Sequence, residues 1–326
     1  MKADRGNSHR EGPTIYIIGA VAVDMIMGPV APWPFPGTET FVPHSEIRPG
    51  GPAGNTALAL QSLTVSHRIV CNVGSDVFGR WLMESFGDQA KQWDVAKAPT
   101  TISVAIEHPG GERTFITAPG NLEHLTADSI LNALPPKARP GDIALFTGIF
   151  LYPLLLASVD DMIAAVARRG FVIALDTGWP PGGWSEEIRS LASGWLAHCD
   201  HVLLNEIESQ SLSDEQSISE AAKWLAARAK PEATIIIKRG ANGASAWQAD
   251  IVAEVAAPKV KVIDTTGAGD AFNAGYLAAC LRGANIEQSL QEGIEIASAA
   301  IASSPRRYRR PELSLEEKDR DIFRSI

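Results

Sequence analysis

Between residues 143 and 238 short apolar runs alternate with longer mixed stretches. Ile143 to Phe146, Phe171 to Leu175, His201 to Leu204 and Thr234 to Lys238 read as strands. Pro153 to Arg169, Trp184 to Leu191 and Ser217 to Ala229 read as the helices between them. Such alternation implies right-handed βαβ units and a parallel sheet covered on both faces. Upstream, Thr14 to Gly19 is β-rich and ends in glycine, which predicts the first central strand. Arg68 to Val73 predicts the next, and Asp76 a cap for a helix over Val77 to Phe86. Downstream, the alternating run Ile251 to Ile263 predicts a strand, and the small apolar residues up to Gly283 predict a buried helix. Leu290, Ile294, Ala297 and Ile301 share one face of a last helix.

Two stretches break the beat. PVAPWPFPG, over residues 29–37, cannot be helix and leads into a plausible strand over Thr38 to Ile47. Thr101 to Glu107 and Arg113 to Ala118 flank His108-Pro109-Gly110-Gly111-Glu112 and predict a hairpin. The expectation is one α/β domain over 14–304 with a mostly parallel central sheet. A small β-sheet lid is inserted as pieces near 29–48 and 100–118. A polar leader, 1–13, precedes the domain, and a charged, solvated tail, 305–326, follows it.

Composition narrows the partners. The 326 residues carry a formal net charge of −9, which argues against a nucleic-acid backbone but not against one nucleotide. Cys71, Cys199 and Cys280 are odd in number and far apart, as expected in a reduced cytoplasm. No apolar run is long enough to span a membrane, and the N-terminus has no apolar signal region.

The candidate chemistry centres on Asp264-Thr265-Thr266-Gly267-Ala268-Gly269-Asp270, where a helix is expected to begin. The first turn of a helix offers unpaired N–H groups and the positive end of the dipole. Gly267 and Gly269 let that backbone approach phosphate oxygens closely. An acid there could be a plain cap. A carboxylate beside an anion site repels the anion unless it has a task, and the natural task is to take a proton from an attacking hydroxyl. No Gly-Lys pair occurs, so there is no Walker A loop, and the glycine spacing is not that of the dinucleotide fingerprint.

The string DTTGAGDAFNAGYL closely resembles the second signature of the ribokinase-like, or PfkB, carbohydrate kinases. RPGGPAGNTALAL, residues 48–60, resembles the first signature of that family, in the right order. The resemblance implies a ribokinase-like fold, ATP and Mg²⁺ as cofactors, and a small-molecule sugar as acceptor. It implies Asp270 as catalytic base and Gly267, Ala268 and Gly269 as the anion hole. Asp24, Gly50, Gly51 and Asn55 would hold the acceptor, the diglycine acting as a lid hinge. Asn205 and Glu208, in an Asn-x-x-Glu pattern, would organise magnesium, partly through water; a polar cap on the next helix is the other reading. Lys238, Gly240, Gly243 and Thr266 would border the nucleotide, with Lys238 pairing with phosphates or facing solvent. Ala297 or Ser298 would border the adenine. Relatives bind K⁺ beside the anion hole through backbone carbonyls near the positions of Asp264 and Thr266, and the presence of Asp264 keeps open such a monovalent cation. Asp176 closes a strand, but the family's Asp-x-Asn-x-Arg is here Asp176-Thr177-Gly178-Trp179-Pro180, so a substrate contact there is not carried over. Arg113 reads as an exposed strand residue. Trp33, Phe35 and Phe41 could face a substrate or a homodimer contact through the lid, or simply pack the lid. A nucleoside kinase of the same superfamily is the alternative, and a catalytically silent sensor the rival from another class. Retention of Asp270 argues against the sensor.

Overall fold

The continuous apolar runs become strands because both their faces are covered. The structure, a computed structural model, describes residues 12–110 and 112–308. The chain runs β1 (Ile15–Gly19), β2 (Ala22–Gly28), β3 (His44–Gly50), α1 (Pro52–Ser62), β4 (His67–Val70), β5 (Asn72–Gly74), α2 (Val77–Phe86), β6 (Asp94–Ala96), β7 (Ile102–Glu107), β8 (Arg113–Ala118), α3 (Ala127–Ala133), β9 (Ile143–Thr147), α4 (Val159–Arg168), β10 (Val172–Asp176), α5 (Glu186–Trp195), β11 (His201–Asn205), α6 (Glu206–Ser213), α7 (Ile218–Ala226), β12 (Thr234–Lys238), β13 (Ala244–Gln248), β14 (Ile251–Val255), α8 (Ala268–Leu281) and α9 (Ile286–Ile301).

The large sheet has the order β14-β13-β12-β11-β10-β9-β1-β4. Its strands from β4 to β12 are parallel, and β13 and β14 close one edge antiparallel. Side-chain alternation splits the core in two. Ile15 and Ile17 of β1 pack with α1, α8 and α9 residues such as Leu60, Tyr276 and Ile294. Tyr16 and Ile18 pack on the other face with Ile163, Trp195 and Leu225. Each fully buried Ile or Leu contributes about 1.5–3 kcal/mol of transfer free energy, so the sheet is a rigid platform. A second sheet, β3-β2-β7-β8, is the lid.

Several boundaries differ from expectation, and the strand expected over Arg68 to Val73 divides into β4, in the large sheet, and β5, which pairs with β6. The lid begins at Ala22 and not near residue 29, so Asp24 lies inside its first strand. The expected strand over Thr38 to Ile47 forms instead over His44–Gly50, beyond Pro43. The strand from Ile251 stops at Val255, and Pro258 soon after has no N–H to continue a ladder. The helix expected from Pro153 starts at Val159. Asp76 does cap α2, accepting from the Gly79 N–H at 2.9 Å. The predicted hairpin forms as β7 and β8, its Gly111 lying outside the described residues. Leader residues 1–11 and tail residues 309–326 also lie outside them. The rest of the tail is only partly solvated: Pro305 and Arg307 are exposed, but Tyr308 is buried and the Arg306 side chain is 8% exposed. Among the described residues no helix is long and apolar enough to cross a membrane.

Candidate active site

Parallel strands end together at one edge, and there open α/β sheets bind ligands. Asp176, Asn205 and Lys238 are the last residues of β10, β11 and β12. The glycine-rich turn reaches the same edge and starts α8. Gly267 caps that helix in the left-handed region, at φ 69°. A Cβ on Gly267 would meet the Asn55 amide at 2.8 Å and Arg306 Nη1 at 3.0 Å, so the turn needs glycine for space as well as conformation. The Ala268 N–H donates to the Thr265 carbonyl at 3.1 Å, which commits it to the turn and away from the anion role read from the sequence. The first intrahelical bond runs from Ala271 N–H to Gly267 C=O, leaving Gly269 and Asp270 N–H ahead of the helical ladder.

The two signature stretches meet. Asn55, in the first turn of α1, donates from Nδ2 to Asp270 Oδ2 at 3.0 Å across 215 residues. Thr56 reinforces the join, its hydroxyl lying 3.4 Å from the Asp270 carbonyl. Burial pushes the Asp270 carboxyl up to about 7, helped by the Asp176 carboxylate; the Asn55 bond and Lys238 pull the other way. That value suits a general base at neutral pH. Asp24 is buried, and burial raises its carboxyl to about 6 against the attraction of Arg48. Gly50 leaves no room for anything but hydrogen there, since a Cβ would lie 2.0 Å from Asp24 Oδ2. Gly51 N-caps α1. Asp24, Gly50, Gly51, Asn55 and Asp270 are therefore brought together as the motifs implied.

Three charged residues behave otherwise than expected. Lys238 does not face solvent. Its Nζ donates to Asp176 Oδ2 at 2.7 Å and Asn273 Oδ1 at 3.3 Å, and Asn273 Nδ2 donates to the same Asp176 oxygen. Burial favours neutral Lys238, but Asp176 and Glu208 outweigh it and raise its pKa. Its Nζ is 3.4 Å from where a Cβ of Gly269 would stand, beside the helix start. Arg113 is not exposed; it bonds Asp264, Thr265, Thr266 and Glu107. Asp264 receives Arg48, Arg113 and Arg306 at 2.6, 2.7 and 2.7 Å, and the Thr266 N–H at 2.8 Å. Burial works against that carboxylate, yet Arg306 and Arg48 hold it at about 2. Three guanidiniums occupy the Asp264 carboxylate, so a monovalent cation there would rest on the backbone carbonyls near Asp264 and Thr266.

Asn205 and Glu208 form a reciprocal capping box at α6: Asn205 Oδ1 accepts the Glu208 N–H, and Glu208 Oε2 accepts the Asn205 N–H. Burial, then the nearby Asp176 carboxylate, raises the Glu208 pKa. The cap uses the one side-chain oxygen of Asn205 and one of the two on Glu208, leaving Glu208 Oε1 and a second lone pair on Asn205 Oδ1, which fits a magnesium ion held partly through water. Among the described residues no cluster of three or more His, Cys, Asp or Glu could hold a metal alone. Gly240 opens a short 3-10 turn after β12, and Gly243 leads from it into β13. Ala297 and the buried Ser298 lie near the end of α9. Trp33, Phe35 and Phe41 are 54, 80 and 90% exposed, and Trp33 stacks on His108.

Sequence reasoning missed Asn273, Arg48, Arg306 and Tyr308. The first two stand inside the signature strings, but nothing in their spacing reveals a partner.

The family model for the pfkB family carbohydrate kinases matches residues 14–311. The chain is similar to 2-dehydro-3-deoxygluconokinase of Dickeya dadantii, 30% identical over 278 residues that cover 77% of this chain and 87% of the relative. Its fold is similar to ribokinase from Thermotoga maritima, with TM-score 0.74 and 22% identity over 95% of this chain and 99% of that one. It is also similar to Arabidopsis thaliana ribokinase complexed with ribose and ATP, with TM-score 0.70 and 21% identity over 90 and 94% of the two chains. With the family match running over nearly all the described residues and both signatures joined at Asp270, the chain belongs to the pfkB family of carbohydrate kinases.

Proposed function

We propose that this sugar kinase moves the γ-phosphoryl group of ATP to a hydroxyl of a small sugar or sugar acid, with Asp270 as the base. The observation that carries this reading is the Asn55–Asp270 bond, which sets an acceptor-binding amide against a carboxylate poised near pH 7. The acceptor's hydroxyls would lie among Asp24, Gly50, Gly51 and Asn55. Asp270 would take the proton as the hydroxyl attacks. Gly267, Gly269 and the Asp270 N–H, with Lys238 beside them, would hold the charge on the transferred group. Gly240, Gly243, Thr266, Ala297 and Ser298 would border the nucleotide. The lid would exclude water, so that ATP is not hydrolysed instead. A nucleoside acceptor is less favoured, since Trp33, one of the lid aromatics that would stack a base, already stacks on His108. ADP release measured against pentoses, hexoses, sugar acids and nucleosides tests the reading. ATP turnover with nucleosides alone would reverse it, and turnover with none would return the chain to a sensor.

Magnesium supplies charge neutralisation between phosphates, and Asn205 and Glu208 would hold it through water. Glu208→Gln is expected to raise the magnesium concentration needed for half-maximal rate several-fold, and more than it raises the acceptor KM. An unchanged magnesium titration would leave Glu208 a capping residue only.

The lid's outer face supports a homodimer. Ile47, Met25, Val104 and Ile116 form one cross-strand row, and its two ends are each 55% exposed. Light scattering should give a dimer mass for the wild type and a monomer for Ile116→Asp. A monomeric wild type at micromolar concentration rejects the contact.

A further inference from the structure

The inner face of the lid is polar along one row. Arg48, Asp24, Ser103 and Thr117 are cross-strand neighbours on β3, β2, β7 and β8, and the last two share a 2.9 Å hydroxyl contact. Arg48 ends that row beside a cavity of about 690 Å³. The cavity is walled by Arg48, Asn55, Arg306, Arg307 and Tyr308, with Glu46 as its one carboxylate. Three guanidiniums thus line it against one carboxylate.

Their bonding is incomplete. Arg48 uses only Nη1, on Asp264 and, at 3.7 Å, on Glu46. Its Nε and Nη2 are buried without a partner, as are Arg306 Nε and Arg113 Nε. Nε and Nη2 form the edge with which an arginine grips a carboxylate or phosphate through two parallel bonds. A buried, unsatisfied charged donor is costly and calls for an acceptor. Arg307 has no carboxylate partner among the described residues, its backbone N–H being held by Ser303. Tyr308 is buried and anchors this segment on the hydrophobic core.

The cavity adjoins the reaction centre through Asn55, which lines it and also bonds Asp270. We infer that the acceptor carries an anionic group, a carboxylate or a phosphate ester, which Arg48, Arg306 and Arg307 bind while its reacting hydroxyl lies at Asp270. This rests on the kinase reading above and narrows its substrate class. Asp24 sits next to Arg48 in the same row and would take the neighbouring hydroxyl, so a single acceptor would span a cationic end and a hydroxyl-binding middle.

The test is ADP release with matched acceptors: neutral aldoses and ketoses, the corresponding sugar acids, and their phosphate esters. The expected result is a kcat/KM at least about tenfold higher for one anionic class than for its neutral parent, the gain shrinking as salt rises. Which class responds separates carboxylate from phosphate. Arg307→Gln, an exposed side chain outside the Asp264 cluster, is expected to raise the anionic acceptor's KM about tenfold with kcat little changed. Arg48→Gln should do so more strongly, and far-ultraviolet circular dichroism reports whether it folds. Equal or better use of neutral sugars, with Arg307→Gln unchanged, would overturn the inference while the kinase reading stood. No turnover with any acceptor would remove the kinase reading itself.

Discussion

Asp270→Asn is expected to lower kcat by at least about 10²–10⁴-fold, the usual worth of a general base. The change is nearly isosteric. The Asn55 amide can still donate to the new carbonyl oxygen, so ATP binding and the fold should survive. The wild type should show an acid limb in kcat near pH 7, because Asp270 accepts a proton only when ionised and its carboxyl is held at about 7. Rate therefore rises with pH through that value, and the limb should vanish from the residual rate of the variant. Stability moves the other way. Between its ordinary range and about 7 the folded protein keeps a proton on Asp270 that the unfolded chain has lost, so stability falls as pH rises through that window. Asp24, raised to about 6, and Glu208, also raised, act in the same sense. Asp270→Asn should unfold at a higher temperature than the wild type at pH 8, and at nearly the same temperature at pH 4. Near-normal turnover in this variant would end the assignment of the base.

What was legible in the sequence was what short-range chemistry dictates. Gly267 and Gly50 are required by a turn and by an approach to Asp24 that admit no Cβ, so the strings around them announce themselves. The platform was legible because strands covered on both faces must be apolar throughout. What stayed hidden depends on which strand ends lie side by side. Asp176, Lys238 and Asn273 are 62 and 97 residues apart along their bonds, and only the sheet order brings them together. Asp264 gathers arginines from two lid strands and from the segment after α9, and no local pattern relates positions 48, 113 and 306. The same arrangement explains the misreading of Arg113. An arginine on a two-faced lid strand is exposed only if nothing lies beneath it, and here the glycine-rich turn does.

Lys238→Met is expected to cost about 3–5 kcal/mol of stability, the usual effect of removing one member of a buried ion pair. Asp176 would then keep Asn273 and the Gly178 N–H as partners, with no cation to offset the carboxylates of Glu208 and Asp270 nearby. Urea unfolding measures the loss, and Lys238→Met with Asp176→Leu should recover part of it by removing the stranded carboxylate. Lys238 also acts electrostatically on Asp270. Its charge is one of the influences that lower the Asp270 pKa. Without it, the acid limb of kcat should move above pH 7, so that the variant loses most at neutral pH and regains rate in alkali. A purely structural lysine would destabilise the protein without moving that limb. A phosphate-holding lysine would in addition raise the KM for ATP, since Nζ stands beside Gly269 where the transferred group would lie. An unfolding loss below about 1 kcal/mol, far short of a broken buried pair, would overturn the pairing with Asp176. An unmoved acid limb would overturn the coupling to Asp270.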